Sequence, residues 1–348
     1  MIIARTLLSK LRPRRPTARE LQEQLDISRA AVLTGAFAAV REGRVLKRHQ
    51  LEKEVESLHR NERKRRVQSA LNQQVIVAYF DLVDQETKLV QGSPPRKARA
   101  PRRIPAEDPD QYKTLLVADE SEPGGVEREV DLETQLRKRI LSELGYCPAV
   151  KESTIPGAGM GLFVEGCAPE GALVAIYPGL VHLPENLCEP DYIAELLPDD
   201  DFFLMARADG CVVDARTASG LPGSPFAVAQ AANHPPEGMG ANVLQTAYDF
   251  PSLSRGGVWG RGGGVFPEHL RPFIPNRYKL PPRLFGGKID RWALVETVVL
   301  VAARKLQDEE VLMNYRFNPS LPAPEWYTPV DEEEARMRWA REEEQGAV

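Results

Sequence analysis

The chain has 348 residues, which is enough for one large domain with a smaller one, or for two domains. Hydrophobic residues make up 42% of it and charged residues 27%, which excludes a wholly disordered, collagen-like or disulfide-scaffold protein. The net charge of −5 hides a division: residues 1–105 hold 23 basic against 11 acidic side chains, and the remainder is acidic. The basic part is suited to nucleic acid, an anionic membrane or an import receptor, whereas the acidic part should not bind polyanions strongly.

Cysteine spacing and hydropathy further narrow the class of protein. The four cysteines lie 20 or more residues apart and form no C-x-x-C pair, so we expect free thiols in a reducing compartment and no metal site. No apolar run approaches the roughly 18 residues needed to cross a bilayer, so no membrane span is predicted.

Residues 1–19 are basic and contain no acid, with apolar positions between the arginines. This composition is typical of a mitochondrial transit peptide, but Pro13 and Pro16 interrupt any long helix and fit a solvated basic tail equally well. The compartment therefore stays open between the mitochondrion and the nucleus or cytoplasm.

Residues 20–90 are predicted to be a helical N-terminal region. Thr17-x-x-Glu20 is a capping box before Leu21 and Leu25, and Leu51, Val55 and Leu58 recur at helical spacing. The basic run at 60–66 favours a solvated helix face over a nucleic-acid contact, because no aromatic residues interleave with it for base stacking. We therefore expect nucleic acid to bind weakly at most, through this region.

Composition divides the rest of the chain. Residues 91–130 are rich in Pro, Gly and charge and predict a disordered linker. Residues 131–147 predict a helix, capped by Asp131 and ended by Gly145, that leads into the next domain. The acidic residues 331–348 predict a solvated C-terminal helix or tail.

Residues 148–330 change to short β-rich runs between Gly and Pro, without a regular helix between successive runs. The fold class is therefore predicted as mainly β, built of small curved sheets rather than a parallel sheet. Eight Gly and six Pro within 251–290 predict an insertion that runs over the surface as a loop. The predicted strands are Leu173–Tyr177, Cys211–Asp214, Val243–Tyr248, Leu294–Ala302 and Val311–Tyr315.

Four separated segments carry residue types suited to chemistry. They are the glycine-rich Ile155–Phe163, the strand end Tyr177-Pro178-Gly179, the pair Asn233-His234 followed by Asn242, and Glu309-Glu310 ahead of Tyr315. Each alone is weak: the first fits a tight turn, since it is neither a dinucleotide fingerprint nor a P-loop, and a lone histidine is usually structural. Their order along the chain carries more information than any one of them.

Taken in order, these segments resemble the SET domain of protein lysine methyltransferases over residues 148–330. The likeness extends to details of the SET domain-containing protein 9 group, such as Ala241-Asn242-Val243 and Phe266-Pro267 in the insertion. The resemblance implies a SET-domain β-clip, or pseudoknot, fold in which the Asn233 segment crosses the Tyr315 segment.

The resemblance also implies an activity: S-adenosylmethionine-dependent methyl transfer to a lysine of a protein substrate that enters a narrow channel. Tyr315 would be the catalytic tyrosine, and Tyr177, Trp326 and Tyr327 would line the channel, although Trp326 and Tyr327 fit a packing role equally well. The residues implied to contact the cofactor are Gly159, Met160, Gly161, Asn233, His234 and Tyr315.

Departures from the family pattern keep an alternative open. Three extra residues separate Asn233 from Asn242, and Pro235-Pro236 replace Ser-Cys, which puts the adenosine contacts in question. No cysteine follows Tyr315, so the zinc-bearing segment of many relatives is absent, and Met313 stands where relatives place Phe or Tyr. A catalytically inactive SET module that acts as a protein-interaction scaffold is the competing hypothesis, and the degree of methylation is undecided.

Overall fold

The computed structural model of the protein describes residues 18–44, 47–92, 125–192, 203–217, 224–250, 274–280 and 295–340. The predicted transit peptide or basic tail and most of the predicted linker lie outside these residues. Within them, no helix is both long and apolar enough to cross a membrane.

Helices dominate the N-terminal part and β-strands the rest, as the sequence predicts. The described helices are α1 (Ala18–Arg41), α2 (Arg48–Ser57), α3 (Arg60–Gly92), α4 (Gly125–Leu144) and α5 (Glu332–Trp339). Helix α4 begins six residues before the predicted Asp131 and ends before Gly145, whose φ of 79° is the left-handed conformation typical of a helix C-terminus. The division of the chain into domains stays a prediction.

The first three helices form a helical layer that shares its core with the strands. In α3, Val67, Leu71 and Val75 recur every four residues and are buried, so one stripe of the helix faces the sheet. These side chains belong to the same buried cluster as Phe37 of α1 and residues of the β-sheets. The helical layer and the β part therefore pack as one hydrophobic unit.

Two glutamines of α3 also hold the edges of one sheet. Gln74 accepts from Leu173 N at 2.6 Å and donates to Gly171 O at 3.1 Å. Gln68 accepts from Asp249 N at 3.1 Å and donates to the Asp249 carbonyl. Because each amide satisfies a strand's free backbone donor and acceptor, α3 takes the place of a neighbouring strand at both edges.

Three arginines of the basic run at 60–66 bond to other parts of the helical layer. Arg60 pairs with Glu23 of α1 at 3.1 Å, and Arg66 pairs with Glu54 of α2. Arg63 donates to the Leu58 carbonyl at 2.9 Å. These arginines therefore tie the three helices together, while Lys64, Arg65 and Arg66 are exposed, in agreement with the predicted solvated face.

Ten short strands form three small sheets. The strands are β1 (Tyr146–Glu152), β2 (Met160–Ala168), β3 (Leu173–Ile176), β4 (Gly179–His182), β5 (Leu204–Ala206), β6 (Val212–Asp214), β7 (Val243–Phe250), β8 (Asn276–Tyr278), β9 (Val295–Ala302) and β10 (Leu306–Gln307). Their orders are β1-β2-β10, β3-β9-β7 and β5-β6-β4-β8, with every pair antiparallel except β4 with β8. This is the mainly β, SET-like architecture that the sequence predicts.

Two local predictions differ from the structure. Strand β8 lies inside the insertion predicted as a surface loop, where it pairs in parallel with β4. The predicted strand Val311–Tyr315 is not a regular strand, because its backbone changes partner along its length: Val311 N donates to Leu162 O, and Met313 N donates to Asn233 O. Most of the predicted insertion lies outside the described residues.

This change of partner creates the crossing that positions the site. Asn233 and Leu312 form an isolated parallel bridge, while Glu310 bridges Phe163 of β2 on the other side. The 310–315 segment is thus held between β2 and the Asn233 segment, as the knot-like fold requires.

Candidate active site

The glycine-rich loop connects β1 to β2. Ser153 N donates to Gly159 O at 2.8 Å, which closes the loop, and Gly157 and Gly159 adopt φ values of 79° and 72° that favour glycine. A Cβ added at either glycine would meet no atom within 4 Å. The backbone of this loop therefore faces open space that a ligand could occupy.

Gly161 has a different reason to be glycine. A Cβ here would overlap Glu310 Oε1 and lie 3.1 Å from Asn233 Nδ2. The sequence suggested close approach of a ligand, but the close approach at this position comes from the protein's own side chains.

Asn233 joins the loop to the crossing segment. Its Nδ2 donates to Met160 O and to Glu310 Oε1, both at 3.1 Å, and its carbonyl accepts from Met313 N at 2.8 Å. The structure therefore brings together three stretches that lie far apart in the chain, around Gly161, Asn233 and Tyr315.

The divergent 235–240 segment does not disturb the second asparagine. Asn242 is buried, donates to Glu310 O at 2.8 Å and accepts from Leu312 N at 2.7 Å. The three extra residues form an exposed turn in which Met239 N donates to Pro236 O. The three extra residues therefore leave both hydrogen bonds between Asn242 and the backbone of the crossing segment intact.

His234 links Tyr315 to the C-terminal part of the chain. Its Nδ1 accepts from Tyr315 N at 3.2 Å, and its Nε2 lies 2.8 Å from Thr328 O. A ring nitrogen that accepts carries no proton, so the proton resides on Nε2 and the ring is neutral. Burial lowers the pKa of His234, which agrees with this tautomer. Since both nitrogens are engaged within the protein, a cofactor could contact only its backbone or ring face.

Tyr315 is partly buried and its hydroxyl donates to Ala232 O at 3.1 Å. Burial raises the pKa of this phenol, so it stays protonated at neutral pH. Its hydroxyl and its backbone N–H thus both bond to the 232–234 segment, which fixes the ring at the crossing.

An aromatic cluster surrounds Tyr315, formed by His234, Tyr315, Phe317, Trp326 and Tyr327. The ring of Tyr327 lies 4.5 Å from that of His234 and 4.7 Å from that of Phe317, and Trp326 stands edge-on to Tyr315 at 6.0 Å. The Tyr327 hydroxyl accepts from Phe317 N at 3.1 Å. Trp326 is 53% exposed, so the cluster opens to solvent on its side.

Tyr177, the third predicted channel residue, is buried directly after β3. Its carbonyl accepts from Asn276 Nδ2 at 2.9 Å and from Thr297 Oγ1 at 2.8 Å. Burial raises the pKa of its phenol, and electrostatic interaction with Tyr315 adds to the increase. The structure thus places Tyr177 near Tyr315, but in the core and not at the open edge.

Glu310 was not predicted as a site residue. Its carboxylate accepts from Ser153 Oγ at 2.6 Å, from Thr154 N at 2.8 Å, from the Thr154 hydroxyl and from Asn233 Nδ2. We call Ser153, Thr154, Asn233 and Glu310 the polar cluster. The signal in the sequence was the Glu309-Glu310 pair. Neighbouring side chains of an extended segment point to opposite sides. Glu309 therefore pairs with Arg304, while Glu310 points inward.

Arg316 was also missed. It follows Tyr315 with a φ of 57°, which a non-glycine residue rarely adopts, and its carbonyl accepts from Trp339 Nε1 at 3.0 Å. Its guanidinium lies 3.3 Å from Asp26 of α1, which also pairs with Arg338 of α5 at 2.9 Å. Helices from both ends of the described chain therefore hold the turn after Tyr315. The predicted C-terminal helix is thus docked against α1 and not merely solvated.

The residues present fit the cofactor that the resemblance implies. The open backbone at Gly157 and Gly159, beside the half-exposed side chain of Met160, offers a loop for the polar end of a ligand. Among the described residues, no group of three or more His, Cys, Asp or Glu could hold a metal ion.

The sequence of the chain is similar to that of known proteins. No family model matches the chain. It is 26% identical over 205 residues to the SET domain-containing protein 9 of Pongo abelii and, equally, to that of Homo sapiens. Each match covers 51% of this chain, and 66% and 60% of the respective relatives, so the chain spans less than two thirds of the relatives' length.

Proposed function

The chain is related to the SET-domain family, and from this premise we propose that it is a protein lysine N-methyltransferase that uses S-adenosylmethionine. The two relatives and the mainly β fold support the family relationship.

The cofactor side is the loop and the Asn233 segment. S-adenosylmethionine supplies a methyl group on a sulfonium sulphur. The backbone of Gly159, Met160 and Gly161 would face its methionine end, and Asn233 with the backbone of His234 would face its adenosine end. Because the polar cluster holds this loop by several hydrogen bonds, the loop is prearranged for a ligand and loses little entropy on binding.

The lysine side is the aromatic cluster with Tyr177. Aromatic faces exclude water and tolerate a cation, and burial of an amine beside a positive sulfonium lowers the amine's pKa. Lysine therefore loses its proton on entry without needing a strong base in the protein. Trp326, at the solvent-exposed edge, would form the entrance.

Tyr315 orients the reacting amine in this proposal. Its phenol is protonated, and its bond to Ala232 O fixes the direction of the hydroxyl. A fixed neutral hydroxyl next to the amine aligns nitrogen, methyl and sulphur, which is the main requirement of an in-line displacement.

The observation that carries the proposal is the convergence at the crossing. Tyr315, through His234 and Ala232, shares one hydrogen-bonded unit with Asn233 and the glycine loop. An isolated structural tyrosine would not need to lie where a candidate ligand loop and an aromatic opening meet.

The test begins with isothermal titration of the wild-type protein with S-adenosylmethionine and a proteome methylation assay with radiolabelled cofactor. On a substrate found in this way, Tyr315→Phe should reduce transfer by about 100-fold or more. Tyr192→Phe, outside the site, should leave transfer unchanged. Absence of cofactor binding at millimolar concentration would favour the scaffold alternative, and full transfer by Tyr315→Phe would contradict the role of Tyr315.

A further inference from the structure

Glu310 is a buried carboxylate whose charge is not balanced by a cation. It is 7% exposed, and none of the described Lys, Arg or His side chains pairs with it. Burial alone would raise its pKa, but hydrogen bonds from Ser153, Thr154 and Asn233 outweigh this and hold the pKa below its usual value. The group is therefore ionised at neutral pH.

Three other carboxylates, of which Asp214 is buried and Glu334 and Glu309 are partly buried, each pair with an arginine. Asp214 lies 2.9 Å from Arg216 Nη2, and Glu334 lies 2.7 Å from Arg338 Nη2. Even Glu309, the neighbour of Glu310, pairs with Arg304 at 2.6 Å. Buried charges normally have such partners because desolvation is costly, so a buried anion held only by neutral donors is suited to a cationic ligand.

The position of Glu310 indicates which ligand. Its Oε1 occupies the space that a Cβ of Gly161 would take, and the same oxygen accepts from Asn233. Both residues belong to the proposed cofactor side. S-adenosylmethionine carries a net charge of about +1 at neutral pH, because its sulfonium adds to an otherwise neutral amino-acid group. Its product, S-adenosylhomocysteine, has a neutral thioether sulphur and no net charge.

We propose that Glu310 makes this site selective for the cationic cofactor over its neutral product. The inference rests on the proposed function and adds a specificity determinant to it. On transfer, the amine nitrogen forms a bond to the methyl carbon, the carbon–sulphur bond breaks, and its electron pair stays on sulphur. The positive charge thereby passes to the amine. The attraction between Glu310 and the sulphur end of the cofactor ends at that moment, which favours release of the product.

The test is direct binding of three ligands to Glu310→Gln, which removes the charge and keeps the size. The ligands are S-adenosylmethionine, S-adenosylhomocysteine and sinefungin, which bears an amine in place of the methylsulfonium. We expect the variant to bind the two cationic ligands about tenfold more weakly, and S-adenosylhomocysteine within about twofold of the wild type. Titration calorimetry measures all three dissociation constants.

Two further variants separate charge from structure. Glu309→Gln removes the neighbouring, cation-paired carboxylate and should leave all three dissociation constants within about twofold. The Ser153 hydroxyl lies 2.6 Å from Glu310 Oε1, so Ser153→Lys brings a flexible ammonium within reach of the carboxylate, neutralises the site with Glu310 in place, and should weaken binding of the cationic ligands selectively. This variant carries the test if Glu310→Gln fails to fold.

The outcomes distinguish a failure of the Glu310 inference from a failure of the proposed function. If Glu310→Gln and Ser153→Lys each lower the affinity for all three ligands equally, Glu310 only supports the loop. This result would overturn the inference but not the proposal that the protein binds S-adenosylmethionine. If the wild type binds none of the three ligands, the proposed function fails as well.

Discussion

The two sides of the 310–317 segment are built by opposite means. The polar cluster is a closed set of hydrogen bonds around a buried carboxylate, with no room for one more carbon at Gly161. The aromatic cluster is held by ring packing, opens to solvent at Trp326, and takes its fixed geometry from His234 and from the turn at Arg316. Directional bonds therefore fix the side proposed for the cofactor, while the side proposed for lysine depends on supports outside it.

The largest effect on stability is expected in the polar cluster. Gly161→Ala should lower the free energy of unfolding by about 2 kcal/mol, because the new methyl overlaps Glu310 Oε1 and Asn233 must move. Urea denaturation monitored by circular dichroism measures this. The matched control is Gly240→Ala, where a Cβ meets no atom within 4 Å and which should change stability by less than about 0.5 kcal/mol. Similar values for the two variants would show that the polar cluster is not closely packed.

A smaller loss is expected where the aromatic side is supported from outside. Asp26→Asn should lower the free energy of unfolding by about 1.5 kcal/mol, because it leaves the half-buried Arg316 and Arg338 with fewer anionic contacts. The control is Glu23→Gln on the same helix: Glu23 and Asp26 are both 14% exposed, and Glu23 pairs with Arg60 of α3, away from the Arg316 turn. Its removal should cost less than about 1 kcal/mol. A loss at Asp26 no larger than the loss at Glu23 would contradict the inference that α1 holds the Arg316 turn.

The smallest effect is the contribution of His234 to the pH dependence of the free energy of unfolding. Its folded-state pKa lies below the unfolded value of about 6.5, so the unfolded chain takes up the proton first and stability falls as the pH drops below that value. Between about pH 7.5 and about pH 5.5 this group can contribute at most about 1.4 kcal/mol. His234→Gln should therefore lose less stability than the wild type over this pH range, which urea denaturation at several pH values measures. Equal slopes in wild type and His234→Gln would contradict the neutral, buried state of His234.

The sequence predicted the fold class and the segments of the site, because these depend on local patterns. Helical spacing predicted the helical N-terminal region, and short β-rich runs between Gly and Pro predicted small sheets. The crossing of the Asn233 and Tyr315 segments was implied only by the family resemblance that the ordered motifs carry. The strand predicted at Val311–Tyr315 was wrong, since alternating composition cannot reveal that a segment changes its backbone partner midway. The roles of Tyr315, Asn233 and the channel residues stay predictions.

Glu310 and Arg316 show what local pattern could not supply. In the sequence, Glu309-Glu310 is a charged pair like many others, and only the backbone direction at the crossing decides which acid is buried. Likewise, Leu21 and Leu25 follow a helix-capping signal but are about half exposed, because α1 turns its other face to the sheet. Burial is a property of the partner surface as much as of the residue.

The amino-acid sequence by itself indicated the helical N-terminal region, the change to short strands and the ordered motifs that resemble a SET domain, since propensity and motif spacing act over a few residues. Only the tertiary structure decided that the helical layer shares the core of the β part, that α1 and α5 clamp the turn after Tyr315, and that one carboxylate is buried without a cation. These features join residues that lie far apart in the chain, such as Asp26 and Arg338, and their energies come from burial and charge pairing that exist only in the folded chain.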